Sequence, residues 1–149
     1  MKIIPFIPEH AADIIHNKKL SIGTLYPKHE WKEHIQKVSH YDAWTGLDNG
    51  HIVGCAGIMP LWDGVGETWF IGADRIQNHT LSAVRFVRKI FKEKQDNGDY
   101  TRLHANVRAN WPEAIKFAKL VGFTKEGYMK KFGPDGLDYL VMGRIKTWL

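Results

Sequence analysis

Residues 66–98 decide the fold of this chain, and they read GETWFIGADRIQNHTLSAVRFVRKIFKEKQDNG. The apolar and aromatic run from Thr68 to Ala73 has the length of a β-strand. From about Thr80, apolar residues recur every three or four positions, which predicts an amphipathic helix. Asn97 and Gly98 tolerate the left-handed backbone that commonly ends a helix. The stretch is therefore predicted to be a strand, a short polar loop and a helix.

The junction between this strand and this helix suits an anion. The first backbone N–H groups of a helix have no intrahelical acceptor, and they point outward at its N-terminus. Thr80 and Ser82 are candidates for the N-cap, and the helix carries Arg85, Arg88 and Lys89. An ordinary strand–helix crossover with a solvated basic face is the alternative interpretation.

The composition is that of a globular chain with one domain. Its 149 residues are 44% apolar and 25% charged. The net charge of +5 favours acidic partners such as nucleotides or CoA-like phosphates. The single cysteine, Cys55, cannot form an internal disulfide, which fits a reducing compartment. Because the sequence has neither an apolar run of about 18 residues nor the long apolar segment of a signal peptide, we expect a cytoplasmic protein without a membrane span.

Outside the central stretch, periodicity and turn signals predict the order β-α-α-β-β-β-α-β-α-β-β. The predicted strands are 2–7, 41–47, 51–59, 68–73, 100–107, 123–132 and 137–145, and the predicted helices are 8–20, 27–39, 80–96 and 110–121. Residues 21–26 are predicted to be a connector, residues 48–50 and 63–66 turns, and Pro60 the end of the third strand. Asn110 is predicted to cap the last helix. Antiparallel strands around one βαβ crossover give an α/β fold with a mixed, mostly antiparallel sheet.

This order resembles the GNAT superfamily of acyl-CoA-dependent N-acyltransferases over nearly the whole chain. Residues 110–127, NWPEAIKFAKLVGFTKEG, resemble the family's Asn…Ala…Gly-Phe…Glu-Gly pattern. Residues 69–71, Asp74 and the basic helix are similar to small GNAT-like proteins of short-tailed bacteriophages, some of which are called internal virion proteins. The resemblance implies one GNAT-like domain over residues 1–149, with the central parallel pair splayed into a V-shaped cleft.

Two functions follow from this resemblance. One is an N-acetyltransferase that moves an acetyl group from acetyl-CoA to a small-molecule or protein amine by direct attack. The other is a catalytically silent phage virion or host-interaction protein that retains the fold. A homo-oligomer stays open, and no nucleic-acid-binding module is visible.

The implied CoA site runs along the end of the central strand and the start of the following helix. Its residues are Phe70, Ile71, Gly72, Ala73, Arg75, His79, Thr80, Leu81, Ser82, Arg85 and Asn110. The family's loop is usually rich in glycine, which lets backbone N–H groups approach a pyrophosphate. Here residues 74–82, DRIQNHTLS, contain no glycine, and Asp74 would repel the pyrophosphate. We therefore expect CoA to bind weakly or not at all.

The catalytic candidates are one carboxylate and two tyrosines. Glu67 begins the central strand, where some family members place a general base. Many members carry a tyrosine acid at the position that Ala118 occupies here, so Tyr128, or after it Tyr139, is the candidate acid. A solvated Glu67 and structural tyrosines are the alternatives.

Histidine and cysteine chemistry is not predicted. The eight histidines show no spacing typical of metal ligands, and we assign no metal. His104 would lie beside the cofactor cleft, with an ordinary core or surface histidine as the alternative. Cys55 sits in an apolar run and is interpreted as a small buried side chain rather than a nucleophile.

Overall fold

A computed structural model describes residues 1–17, 20–23, 31–134 and 136–146. Its strands are β1 (Lys2–Pro5), β2 (Leu20–Gly23), β3 (Ala43–Asp48), β4 (His51–Trp62), β5 (Gly64–Ala73), β6 (Tyr100–Arg108), β7 (Thr124–Met129) and β8 (Tyr139–Ile145). Its helices are α1 (Pro8–Asn17), α2 (Trp31–Val38), α3 (Thr80–Asp96) and α4 (Pro112–Val121), and a 3₁₀ segment (Asp74–Asn78) precedes α3. Predictions for residues 18–19, 24–30 and 135 lie outside the described residues.

The chain divides into two compact units. The first comprises Met1–Met59 and Trp69–Ala83. Its strands follow the order β1-β3-β4-β5, and β2 pairs antiparallel with β5 at Ile71–Ala73. Its core includes Phe6, Ile14, Ile35, Val38, Trp69 and Ile71. Of these residues, Ile14 comes from α1, Ile35 and Val38 come from α2, and Trp69 and Ile71 come from β5, so two helices and the sheet share this core.

The second unit comprises Pro60–Thr68 and Val84–Leu149. Its strands follow the order β5-β6-β8-β7. The ladder between β5 and β6 is parallel, while β8 runs antiparallel to both β6 and β7. Leu103, Ala105 and Val107 are buried, as the alternation along β6 predicts. Strand β5 therefore begins in the second unit and ends in the first.

The predicted α/β class is confirmed. The described residues contain four α-helices and one parallel strand pair, joined as β5-α3-β6. The last register pair of the parallel ladder is Glu67 with His104. Separation of the two strands beyond this pair stays a prediction.

Two strand predictions are wrong because distant pairing overrides local pattern. Residues 20–23 form β2 instead of the end of α1 and the start of a connector, since this segment pairs with β5. Pro60 does not end β4, which continues to Trp62. The fixed φ of proline suits extended backbone, and only its missing N–H weakens the ladder. The turn predicted at 63–66 shrinks, because β5 already begins at Gly64 with φ of 81°.

The capping at two helix starts also differs from the prediction. The residue that precedes α4 at the cap position is Trp111, not Asn110, and no side chain caps the helix. Pro112 occupies the first turn and fixes this position. Thr80 is the first residue of α3, and its hydroxyl donates a hydrogen bond to the carbonyl of Ile76 at 3.1 Å. That hydroxyl therefore ties α3 to the 3₁₀ segment.

Gly57 makes room for Trp69 in the first unit. A Cβ atom at Gly57 would lie 2.5 Å from Nε1 and 2.7 Å from Cε2 of the indole. The indole is 5% exposed and meets the Phe6 ring edge to face, with 5.1 Å between centroids. Its Nε1–H has no hydrogen-bond partner among the described residues. Packing, not hydrogen bonding, therefore fixes Trp69.

We expect Gly57→Ala to lower the free energy of unfolding by about 1–3 kcal/mol, because overpacked cores strain. The loss should shrink in a Trp69→Phe background, since phenylalanine lacks the atoms that the new methyl group would meet. Urea denaturation of the four combinations measures the coupling. Gly127→Ala is the control, because nothing lies within 4 Å of a Cβ there. An equal loss in both backgrounds would contradict this account.

His10 gives the first unit a pH dependence. Its Nδ1 accepts from the Ile7 N–H at 3.3 Å and lies 2.8 Å from Thr45 Oγ1. Burial lowers the pKa of His10 below its ordinary 6.5, against the opposing charges of Glu9 and Asp13.

The unfolded chain therefore takes up this proton first as the pH falls, so stability is full above about pH 6.5 and declines below it. We expect His10→Gln to flatten that decline in denaturation experiments at several pH values. Replacement of the exposed His51 by Gln should leave it unchanged. An identical decline in wild type and His10→Gln would remove His10 as its source.

Candidate active site

The predicted CoA residues 70–82 lie together in the first unit. Ile71, Gly72 and Ala73 are buried at the end of β5, and their backbone pairs with β2. Thr80, Leu81 and Ser82 are exposed in the first turn of α3. The N–H groups of a first helical turn lack intrahelical acceptors and suit a phosphate oxygen.

The side chains of Arg75 and His79, which were predicted to assist this site, both contact Asp48. Arg75 Nη1 lies 3.7 Å and His79 Nε2 lies 3.1 Å from Oδ2 of Asp48, at the β3–β4 turn. Asp74 is exposed at the start of the 3₁₀ segment. The helix start thus fits an anion, while Asp48 and Asp74 oppose one. Arg85 is exposed on the part of α3 that belongs to the second unit.

A polar ladder runs along one face of β6 in the second unit. Arg102, His104 and Asn106 alternate with the buried residues of this strand. Arg102 Nη2 lies 3.0 Å from His104 Nδ1, and His104 Nε2 lies 2.9 Å from Asn106 Oδ1. Asn106 Nδ2–H donates to Glu67 Oε1 at 3.4 Å. The predicted base is therefore held by a hydrogen-bonded partner and is not a solvated side chain alone.

A bidentate ion pair fixes the other end of the ladder. Arg102 donates to Glu126 through Nη1 at 2.9 Å and Nη2 at 2.6 Å. This hydrogen bonding holds the pKa of Glu126 below its ordinary value and raises that of Arg102. A Cβ at Gly143 would lie 2.7 Å from both Arg102 Nη1 and Glu126 Oε2. Gly143 thus leaves the space that the pair occupies.

A cavity of about 300 Å³ in the second unit brings Asn110 and Tyr128 together. Its lining residues are Ala109, Asn110, Tyr128, Lys131, Gly136, Leu137 and Asp138. Tyr128 is 52% exposed, and its hydroxyl donates to Asp138 Oδ2 at 2.6 Å. The Lys131 N–H donates to Oδ1 of the same carboxylate at 2.8 Å. The bond to Asp138 raises the pKa of Tyr128 and lowers that of Asp138.

Tyr139 does not share the exposure of Tyr128. It is 4% exposed at the start of β8, and its ring meets Phe132 edge to face, with 5.8 Å between centroids. Tyr128 is therefore the better placed of the two to meet a ligand.

Sequence reasoning missed the residues that surround the candidates. Arg102, Asn106, Glu126, Asp48 and Asp138 were not predicted, although each contacts a predicted residue or extends its network. The regular polar positions opposite the buried face of β6 were a signal for the first two. The others come from distant parts of the chain, and no local pattern indicates them.

We also searched the described residues for a metal site, a membrane-spanning helix and a reactive cysteine. It contains no group of three or more His, Cys, Asp or Glu residues placed to hold a metal ion. It also contains no helix long and apolar enough to cross a membrane. Burial raises the pKa of Cys55 to about 12, which fits its interpretation as a structural side chain.

The fold of the chain is similar to that of solved GNAT acetyltransferases. No protein-family model and no curated protein matches the sequence. Among solved structures, a GNAT-family acetyltransferase from Streptococcus pneumoniae has a TM-score of 0.71 at 18% identity, over 98% of this chain and 99% of that chain. The ribosomal-protein-S18-alanine N-acetyltransferase from Escherichia coli has a TM-score of 0.73 at 17% identity, over 99% and 95%. An aminoglycoside 6′-acetyltransferase type Ii has 0.70 at 14%, over 97% of each chain. At these identities the likeness shows the fold alone.

Proposed function

We propose that the protein is an N-acetyltransferase that moves an acetyl group from acetyl-CoA to an amine by direct attack. The observation that carries the proposal is the Glu67 carboxylate, which ends the parallel ladder of a GNAT fold and is held by Asn106. A carboxylate so held suits the removal of a proton from an ammonium group. The acceptor is a small-molecule or protein amine, and the proposed place of action is the cytoplasm.

The proposed reaction combines three proton transfers with the formation of one bond and the cleavage of another. Glu67 accepts a proton from the acceptor ammonium, and the neutral amine attacks the thioester carbonyl carbon. The new C–N bond forms as the C–S bond breaks. The leaving thiolate takes a proton from Tyr128, or failing it Tyr139, and the second amine proton returns to the tyrosine through solvent. No covalent enzyme intermediate is needed.

We expect wild-type protein to bind acetyl-CoA weakly, with a Kd on the order of 0.1–1 mM in calorimetric titration. The α3 start offers N–H donors, but Asp74 repels phosphate and Asp48 occupies Arg75 and His79. Asp74→Gly and Asp48→Asn should therefore each tighten binding. Arg85→Ala should abolish it, with the exposed Lys89→Ala as the matched control.

Micromolar binding that Arg85→Ala leaves intact would contradict this placement of the site.

A second candidate function is a catalytically silent phage virion or host-interaction protein with this fold. The contacts of Arg75 and His79 with Asp48 favour this second function. They leave both side chains less available to a phosphate, in a loop that has no glycine to bring backbone N–H groups close. Absence of binding even in Asp74→Gly would favour this second candidate.

A further inference from the structure

We infer that Arg102, His104 and Asn106 are positioning residues that orient the Glu67 carboxylate through one directed chain of hydrogen bonds. The orientation follows from the contacts in the second unit; its catalytic use rests on the proposed function. The three residues stand on one face of β6, two positions apart. Each reaches the next, and the last reaches Glu67.

The direction of the chain follows from what each group can donate. A guanidinium has donors only, so the 3.0 Å contact makes His104 Nδ1 the acceptor. The imidazole proton is then on Nε2, from which it is donated to Asn106 Oδ1 at 2.9 Å. This fixes the Asn106 amide with its NH₂ group toward Glu67 Oε1, at 3.4 Å. A reversed amide would set its oxygen against the carboxylate.

The Arg102 end of this hydrogen-bond chain is held in place by Glu126. Both terminal nitrogens of Arg102 are bound by Glu126, and Gly143 leaves the space for that pair. A ring with its proton on Nδ1 would turn a donor against the guanidinium, so the arrangement selects the Nε2–H tautomer. With Oε1 of Glu67 engaged by Asn106, we assign Oε2 to the acceptor amine.

The first experiment tests the direction of the hydrogen bonds by NMR, without any substrate. In ¹⁵N-labelled full-length protein, the His104 ring nitrogens, assigned by their loss in His104→Gln, should show the neutral Nε2–H tautomer. Arg102→Met should shift His104 toward a mixture of tautomers, and the Glu67 ¹³Cδ resonance should move in Arg102→Met and Asn106→Ala. Arg108→Met is the matched control, because it removes a cation from the same strand. The Arg108 guanidinium lies over the Trp111 ring, with Cζ 5.0 Å from the ring centroid. An Nδ1–H tautomer of His104 in wild type would contradict the proposed direction of the hydrogen bonds. Unchanged His104 and Glu67 resonances in Arg102→Met would contradict it as well.

The second experiment tests its catalytic use. Asn106→Ala should lower kcat for acetyl transfer about tenfold and leave KM for acetyl-CoA unchanged, since a hydrogen bond to a charged group is lost. In a Glu67→Gln background the same change should have no further effect, and an additive loss would overturn the positioning role. If wild type transfers no acetyl group, the proposed function fails, while the spectra still decide whether the chain orients Glu67.

Discussion

Replacement of Glu67 by Gln should lower kcat for acetyl transfer about 10³-fold, with KM for acetyl-CoA little changed. The amide keeps the shape of the side chain and can still contact Asn106, but it cannot accept the ammonium proton. Positioned bases contribute about 10²–10⁴-fold to rate. Release of CoA thiol with a panel of primary amines, including an aminoglycoside and a peptide with N-terminal alanine, measures turnover.

Glu93→Gln provides the control for Glu67, because Glu93 is exposed on α3. The loss in Glu67→Gln should narrow as the pH rises, since the acceptor amine then enters already neutral. Turnover in Glu67→Gln within twofold of wild type would exclude Glu67 as the base.

Tyr128→Phe should lower turnover about 10²-fold, because the thiolate would then lack its acid. The hydroxyl must leave its 2.6 Å bond to Asp138 before it can give up its proton to the thiolate. Asp138→Asn weakens the hydrogen bond, and removes the charge, by which Asp138 raises the pKa of Tyr128, so that variant should retain turnover. The same kinetic assay measures both variants.

Tyr41→Phe is the matched control for Tyr128, since Tyr41 is another largely exposed tyrosine, at 45%. Full activity of Tyr128→Phe combined with loss of activity in Tyr139→Phe would reassign the acid to the buried residue. Equal loss in Tyr128→Phe and Asp138→Asn would instead indicate that their hydrogen bond serves the structure of the cavity.

Elements with strong local signals could be predicted from the sequence. The α3 bounds match the prediction at both ends, and Asn49 and Gly50 adopt the positive φ angles that a tight hairpin requires. Gly122 ends α4 with φ of 115°, as its position after the apolar stripe indicates. Strand β2 could not be predicted, because its four residues have no pattern of their own and depend on β5.

The candidate site divides in the same way. The glycine-free loop and the Glu67 carboxylate, which lies within β5, were visible in the sequence. The pairing of Arg75 with Asp48, and that of Tyr128 with Asp138, depend on turns that bring separate segments together. Such contacts change which charges a ligand meets, and composition alone cannot reveal them. Local sequence patterns therefore identify candidate site residues better than they identify the contacts those residues make.

The state of Cys55 has a practical consequence for labelling. It is the only cysteine of the chain, it is buried, and burial raises the pKa of its thiol to about 12. At neutral pH the thiol is then almost entirely un-ionised, and the thiolate is the species that reacts with maleimides and iodoacetamides. A second cysteine placed on the surface would therefore carry a fluorophore or spin label selectively, with Cys55 left in place.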